Sequence, residues 1–227
     1  MTPRKLALLS GLTLMMPAMA WSLPKPHIVA LGGVRRVPYS VAGDPAGARP
    51  DETELTVRPL IVDGKVKEWT TGDVHDLTIR TFAVRRAVRL NDALPTDKTE
   101  RWVWQRGPWI LVDRTVGKVT ALRLPDFDPA VSDVVWFRDY AAYCGVNSGG
   151  KQLMAVVEQV EGRKPLLAKK LGAWEAAEHS GPVCAPAVWQ RDPLRVSFAV
   201  TGAATVSFDL VGTSAVLVEE DEEPVAR

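Results

Sequence analysis

A four-residue unit that recurs constrains the fold of this chain more than any single motif does. Val103-Trp104-Gln105-Arg106 returns as Val135-Trp136-Phe137-Arg138 and again as Val188-Trp189-Gln190-Arg191. Each copy leads into a turn residue (Gly107, Asp139 or Asp192), an apolar run, a second turn at Gly117, Gly149-Gly150 or Gly202, and a further apolar run. Between the first and third copies the register holds at Pro108 and Pro193, at Gly117 and Gly202, and at Thr120 and Thr205. The common unit is strand, tight turn, strand, glycine turn, strand: an antiparallel meander used repeatedly.

The rest of the chain after residue 20 reads the same way. β-Branched and aromatic residues fall in short runs punctuated by Gly, Pro and Asp, and helical periodicity is almost absent. Glu54 to Asp63 runs into Asp63-Gly64, the residue pair of a type I′ turn, and Lys65 to Trp69 returns from it, which predicts a hairpin. From Asp76 to Leu90 the apolar residues sit on odd positions at Leu77 and Ile79, then on even ones at Phe82, Val84, Val88 and Leu90. That switch predicts a bulge near Arg80-Thr81. Ala173 to His179 is the one stretch that reads as helix, about two turns long. Gly43 to Pro50 and Asn91 to Glu100 read as loops, and the acidic run Glu219 to Glu223 as a disordered tail. A single domain is expected over residues 21–218. Its fold class is all-β, built of antiparallel meanders, propeller-like or a partial propeller, with a two-sheet β-sandwich as the alternative. The copies are unevenly spaced, whereas a regular propeller repeats at about 40 to 50 residues.

The turn Gly149-Gly150-Lys151 before Leu153-Met154-Ala155-Val156-Val157 resembles blades of exported propellers. The stretches Trp102-Val-Trp-Gln-Arg-Gly-Pro-Trp109 and Trp136-Phe-Arg-Asp-Tyr-Ala-Ala-Tyr-Cys-Gly145 are similar to uncharacterised exported bacterial proteins. The likeness covers the middle third to half of the chain. It implies a propeller-like repeat and brings no activity and no site residues with it.

Arg4 and Lys5 precede an uncharged apolar run, Leu6 to Met16, and Ala18-Met19-Ala20 places small residues where a signal peptidase needs them. Cleavage after Ala20 is expected, giving an exported protein, periplasmic or extracellular, that begins at Trp21. The apolar run is shorter than the ~20 residues of a membrane anchor, and no later stretch is a candidate span. With Arg4 and Lys5 gone the formal charge of +1 becomes −1. A near-neutral chain argues against nucleic-acid binding, which needs concentrated positive charge. Cys144 and Cys184, an even pair in an oxidising compartment, predict one disulfide.

Eight tryptophans suggest ligand stacking as well as core packing. Trp104, Trp136 and Trp189 hold equivalent repeat positions and are assigned to the core. Trp69, Trp109 and Trp174 are the candidates for an exposed, ligand-binding face. Arg106, Arg138 and Arg191 read as staples that tie loop carbonyls or pair with Asp139 and Asp192. Arg80, Arg85, Arg86 and Arg89 form a basic stretch facing solvent or an anionic envelope polymer, and Arg86, on the apolar parity, requires a buried acid or a local irregularity. Asp126 and Asp128 lie two residues apart and, with Asp133 and Asp139, form the carboxylate cluster of interest. Their oxygens fall short of the six to eight that Ca²⁺ takes. His27, His75 and His179 share no metal-ligand spacing, and no hydrolase signature is present. No metal, cofactor or catalytic residue is therefore expected. These features point to a non-catalytic exported β-scaffold binding an envelope or extracellular protein or glycan. The alternative is a secreted hydrolase with dispersed carboxylates such as Asp126 and Asp128, which needs an acid and a base about 5 to 10 Å apart in a cleft.

Overall fold

The computed structural model describes residues 26–41, 51–175 and 183–218. The leader and its cleavage site, the loop 43–50, residues 176–179 of the expected helix and the acidic run lie outside the described residues. Ala173, where that helix was to begin, is instead the last residue of a strand.

All the regular structure among the described residues is β-strand, in three antiparallel sheets. The first contains β1 (Val29–Leu31), β2 (Arg35–Pro38), β3 (Glu54–Val62), β4 (Lys65–Asp76), β5 (Thr81–Asn91), β6 (Trp102–Asp113) and β7 (Lys118–Ala121). Its order is β1-β3-β4-β5-β6-β7, with β2 paired to the other stretch of β3. The second is the meander β8 (Val135–Phe137), β9 (Tyr140–Val146), β10 (Gln152–Gln159) and β11 (Leu167–Ala173), and the third is β12 (Val188–Gln190), β13 (Arg195–Phe198), β14 (Val206–Val211) and β15 (Ser214–Val218).

Local sequence explains most of the turns. Asp63 and Gly64 both have positive φ, 52° and 76°, as a type I′ hairpin requires. The parity switch after Asp76 is a second hairpin and not the expected bulge. The amides of Leu77 and Thr78 both donate to the Thr81 carbonyl, and Thr78 Oγ1 accepts from the amides of Arg80 and Thr81, which closes the turn. Bulges lie elsewhere, with register shifts between Thr70 and Val74 and between Arg85 and Ala87. The second explains Arg86, which sits on the irregularity, so that expectation holds; its partner Glu68, at 2.7 Å, is only half-buried and is not the buried acid of the other expectation.

The second and third repeat copies open the second and third sheets as β8 and β12, each followed by a strand, a glycine turn and a strand. The first copy departs from the pattern. Val103 to Arg106 lies inside β6, and Gly107 continues the strand where a turn was expected. β5 is long enough to keep pairing with β6 past this point, so the chain stays extended; Gly107 sits at the bulge, where a Cβ would meet Val88 Cγ1 at 2.9 Å, and its carbonyl accepts from Arg85 Nε.

The second sheet is apolar on both faces and is covered on both. Ala142, Cys144, Ala155 and Val157 pack with Val196, Phe198 and Phe208 of the third sheet. Ala141, Tyr143 and Val156 pack with Ala83 and Trp109 of the first. Burying a side chain such as Phe198 contributes about 2 to 3 kcal/mol. The Cys144–Cys184 disulfide, with Cα atoms 6.2 Å apart, ties β9 to a segment whose Cys184 bridges Val200 beside the third sheet. The first sheet has its own core of Leu60, Phe82, Val84, Ile110 and Val112. Toward its far end Tyr39 makes a parallel bridge to Trp104 over Leu55, Val57 and Ala87. The all-β antiparallel expectation is met by a stack of meanders; no closed barrel or propeller ring forms among the described residues.

Candidate functional site

β10 runs through the middle of the second sheet, and its side chains alternate between the two neighbouring sheets. Val157 goes to the core shared with the third sheet and Val156 to that shared with the first. Glu158 has the parity of Val156, and its register partner on β9 is Ala141, which offers no hydrogen-bonding side chain. The sequence therefore directs a carboxyl group into an apolar interface.

Two connections turn that position into a cleft. The segment leaving β7 is pulled against β9: Tyr143 Oη donates to the Pro125 carbonyl at 2.7 Å, and the Val146 amide donates to the Asp126 carbonyl at 2.8 Å. Gly145 permits this approach, since a Cβ there would fall 1.8 Å from the Asp126 carbonyl oxygen. The turn from β10 to β11, with Glu161 at φ 65° and the Gly162 amide donating to the Gln159 carbonyl, forms the opposite wall. Between them lies a cleft of about 400 Å³, with Arg123, Leu124 and Pro125 on one side, Arg163 and Lys164 on the other, and Glu158 in the lining.

Glu158 is only 7% exposed, and its Oε2 is buried with no hydrogen-bond partner. An unpartnered buried oxygen tolerates the neutral acid far better than the carboxylate. Burial accordingly pushes this carboxyl up to about 7, against the opposing pull of Arg123. The Tyr143 phenol is raised well beyond its usual range, chiefly by burial, with the charges of Glu158 and Asp126 adding. Near neutral pH the cleft thus combines three cations with a carboxyl able to donate as well as accept.

The residues singled out from sequence are distributed differently. Trp109 and Trp174 are 8% and 9% exposed, so neither offers the expected open face. Trp109 meets Trp136 edge-on at 5.1 Å between the first two sheets, and Trp174 lies in the core shared by the second and third. Trp69 is half-buried, edge-on to Trp104 at 5.6 Å and beneath Arg35. The repeat tryptophans Trp104, Trp136 and Trp189 are half-buried, each packed against a different core cluster. Among the described residues no three His, Cys, Asp or Glu side chains group as metal ligands. Asp128 accepts from the Ala130 amide, Asp133 from the Val134 amide, and Asp139 from Gln159 Nε2, while Asp126 takes a left-handed turn at φ 58°. Asp133 also faces the buried Arg85 guanidinium at 3.5 Å. Three of these carboxylates thus hold local structure. Of the repeat arginines, Arg106 is a staple, to Glu52 at 2.8 Å and to Tyr39 Oη at 2.7 Å. The expected pairing of Arg138 with Asp139 is not formed; Asp139 Oδ2 instead accepts from Gln159 Nε2 at 2.7 Å.

Glu158 itself was missed. A signal was present: Met154 and Val156 share its parity while Leu153, Ala155 and Val157 occupy the other, so the strand is apolar on both faces and a Glu on it is out of place. Comparison with protein families, with curated proteins and with solved structures finds no match to this chain.

Proposed function

We propose that this chain is an exported, non-catalytic β-scaffold that binds an acidic envelope or extracellular glycan through the Glu158 cleft. The observation that carries the reading is the charge pattern: Arg123, Arg163 and Lys164 surround one carboxyl that burial, raising it to about 7, keeps partly protonated near neutral pH. Carboxylates on a glycan would be met by the cations, and its hydroxyls by an acid that both donates and accepts. The leader and the Cys144–Cys184 bridge support export, since disulfides persist in oxidising compartments. Propeller-like repetition belongs to the same proposal, supported by two repeat copies that open successive stacked sheets.

The hydrolase reading is favoured by one feature, an acid poised to protonate a leaving group near neutrality. Its usual chemistry needs a second carboxylate, whereas Glu158 supplies the one carboxyl among the described lining residues. Binding therefore ranks first. The test is retention of the mature chain on immobilised polygalacturonate and on neutral dextran at about 0.15 M ionic strength. Polygalacturonate should retain the wild type, dextran should not, and the variant carrying Arg123→Glu, Arg163→Glu and Lys164→Glu should elute unretained with an unchanged melt. Equal behaviour on both polymers overturns the reading. Release of reducing ends by wild type but not by Glu158→Gln moves it to the hydrolase.

A further inference from the structure

Two copies of the repeat bring their terminal arginines to one place. β8 and β12 are each the edge of their sheet, and Arg138 and Arg191 follow them at the same step. Aromatic contacts hold these edges together. Phe137 stacks on Trp189 with ring centres 5.4 Å apart, and Trp189 Nε1 donates to the Val135 carbonyl at 3.2 Å. With the strands locked side by side, both arginines emerge at the same corner. The first sheet adds His75 from β4, whose ring lies on Trp136 at 5.1 Å and 18° and whose Nε2 hydrogen-bonds the Arg138 carbonyl. The result is a hollow of about 320 Å³ walled by His75, Trp136, Phe137, Arg138 and Arg191, with a contribution from every sheet. Junctions between packed layers are a common setting for small-ligand sites.

Among the described residues, the fold consumes neither guanidinium. Both residues are exposed, and among the described residues neither makes an ion pair; Arg138 only overlies the Phe137 ring at 5.4 Å. Their counterpart Arg106, by contrast, is bound to Glu52. No carboxylate is among the residues lining the hollow, and Asp139, the acid next to Arg138, is held by Gln159. Two like charges facing one space repel, and a dianion accepting from both relieves the repulsion in a way that a single carboxylate does only in part. The planar fork of each guanidinium matches two oxygens of a tetrahedral phosphate.

We propose that this hollow binds a phosphate dianion, free or at the end of a monoester, between Arg138 and Arg191. The site is separate from the Glu158 cleft and does not depend on the glycan reading. The experiment titrates the mature chain calorimetrically with inorganic phosphate, with glucose 6-phosphate and with glucuronate at constant ionic strength. Both phosphates should bind about tenfold or more tightly than glucuronate, and the tighter of the two identifies the source. Arg138→Gln and Arg191→Gln should each weaken phosphate binding about tenfold or more, as loss of a charged hydrogen-bonding partner does. Arg138→Lys, which keeps the charge and drops the fork, should fall between wild type and Arg138→Gln. Lys164→Glu, in the other cleft, should leave phosphate binding unchanged. Equal affinity for glucuronate, unaltered phosphate affinity in both Gln variants, or an equal loss in Lys164→Glu overturns the proposal.

Discussion

Replacing Glu158 by Gln should remove a pH dependence of stability that the wild type carries. In the unfolded chain this carboxyl titrates near 4.5, and in the folded protein burial raises it to about 7. Below about pH 4.5 both states hold the proton and the group contributes no difference. As pH rises from there toward 7, the unfolded chain releases its proton while the folded protein keeps it, so stability falls; past about pH 8 both are ionised and the deficit is constant. A fully sealed carboxyl with this displacement would account for about 3 kcal/mol. The cleft is open on one side, and screening by water reduces the figure to roughly 1 to 2 kcal/mol. Gln keeps the shape and does not titrate. Urea unfolding of both proteins at about pH 4.5, 6 and 8.5 should therefore show the variant gaining roughly 1 to 2 kcal/mol on the wild type across that range. The Tyr143 phenol, raised well above this range, stays protonated in both folded proteins, and groups that do not interact with Glu158 cancel in the comparison. Parallel stability profiles would refute the assignment of a buried, proton-holding acid.

Two further outcomes follow from the packing. The Cys144–Cys184 bridge spans a sequence separation of 40, so the double Cys→Ala variant should lose about 4 kcal/mol in denaturant melts, and a loss below about 1 kcal/mol would show that the bridge does not constrain the unfolded chain. Gly145→Ala would place a Cβ 1.8 Å from the Asp126 carbonyl oxygen and 2.6 Å from its carbon, both backbone, and should cost about 3 kcal/mol or more as well as weaken polygalacturonate retention. Gly33→Ala, with nothing within 4 Å, is the control that should melt as the wild type does.

Much of the local architecture was legible because its causes are local. Asp63-Gly64 takes left-handed backbone in any chain that places it between two strand formers, and the turn is where the pair predicts it. The Cys144–Cys184 pairing followed from an even count and the expectation of an oxidising compartment. The second and third repeats announced meanders that the sheets contain. Legibility failed where one strand's behaviour depends on its neighbour. Gly107 resembles a turn, yet a long partner strand keeps the chain extended, and the break after Asp76 is a hairpin that parity alone does not separate from a bulge.

The site was less legible for the same reason. Counting tryptophans identified large aromatic surfaces but not which of them the sheets would cover, and Trp109 and Trp174 are buried only because a second layer packs over each. Spacing brought Asp126 near Asp128, while turn hydrogen bonds, local in range but not specified by spacing, gave Asp128 a structural task. The sequence by itself settled the all-β class, the Asp63-Gly64 turn and the disulfide pair, since these rest on backbone preference and composition. Only the tertiary structure decided that Glu158 sits in an apolar interface opposite Arg123, Arg163 and Lys164, and that Arg138 and Arg191 share one hollow. Both meetings depend on how three sheets stack, and stacking is set by the summed burial of many side chains far apart in sequence.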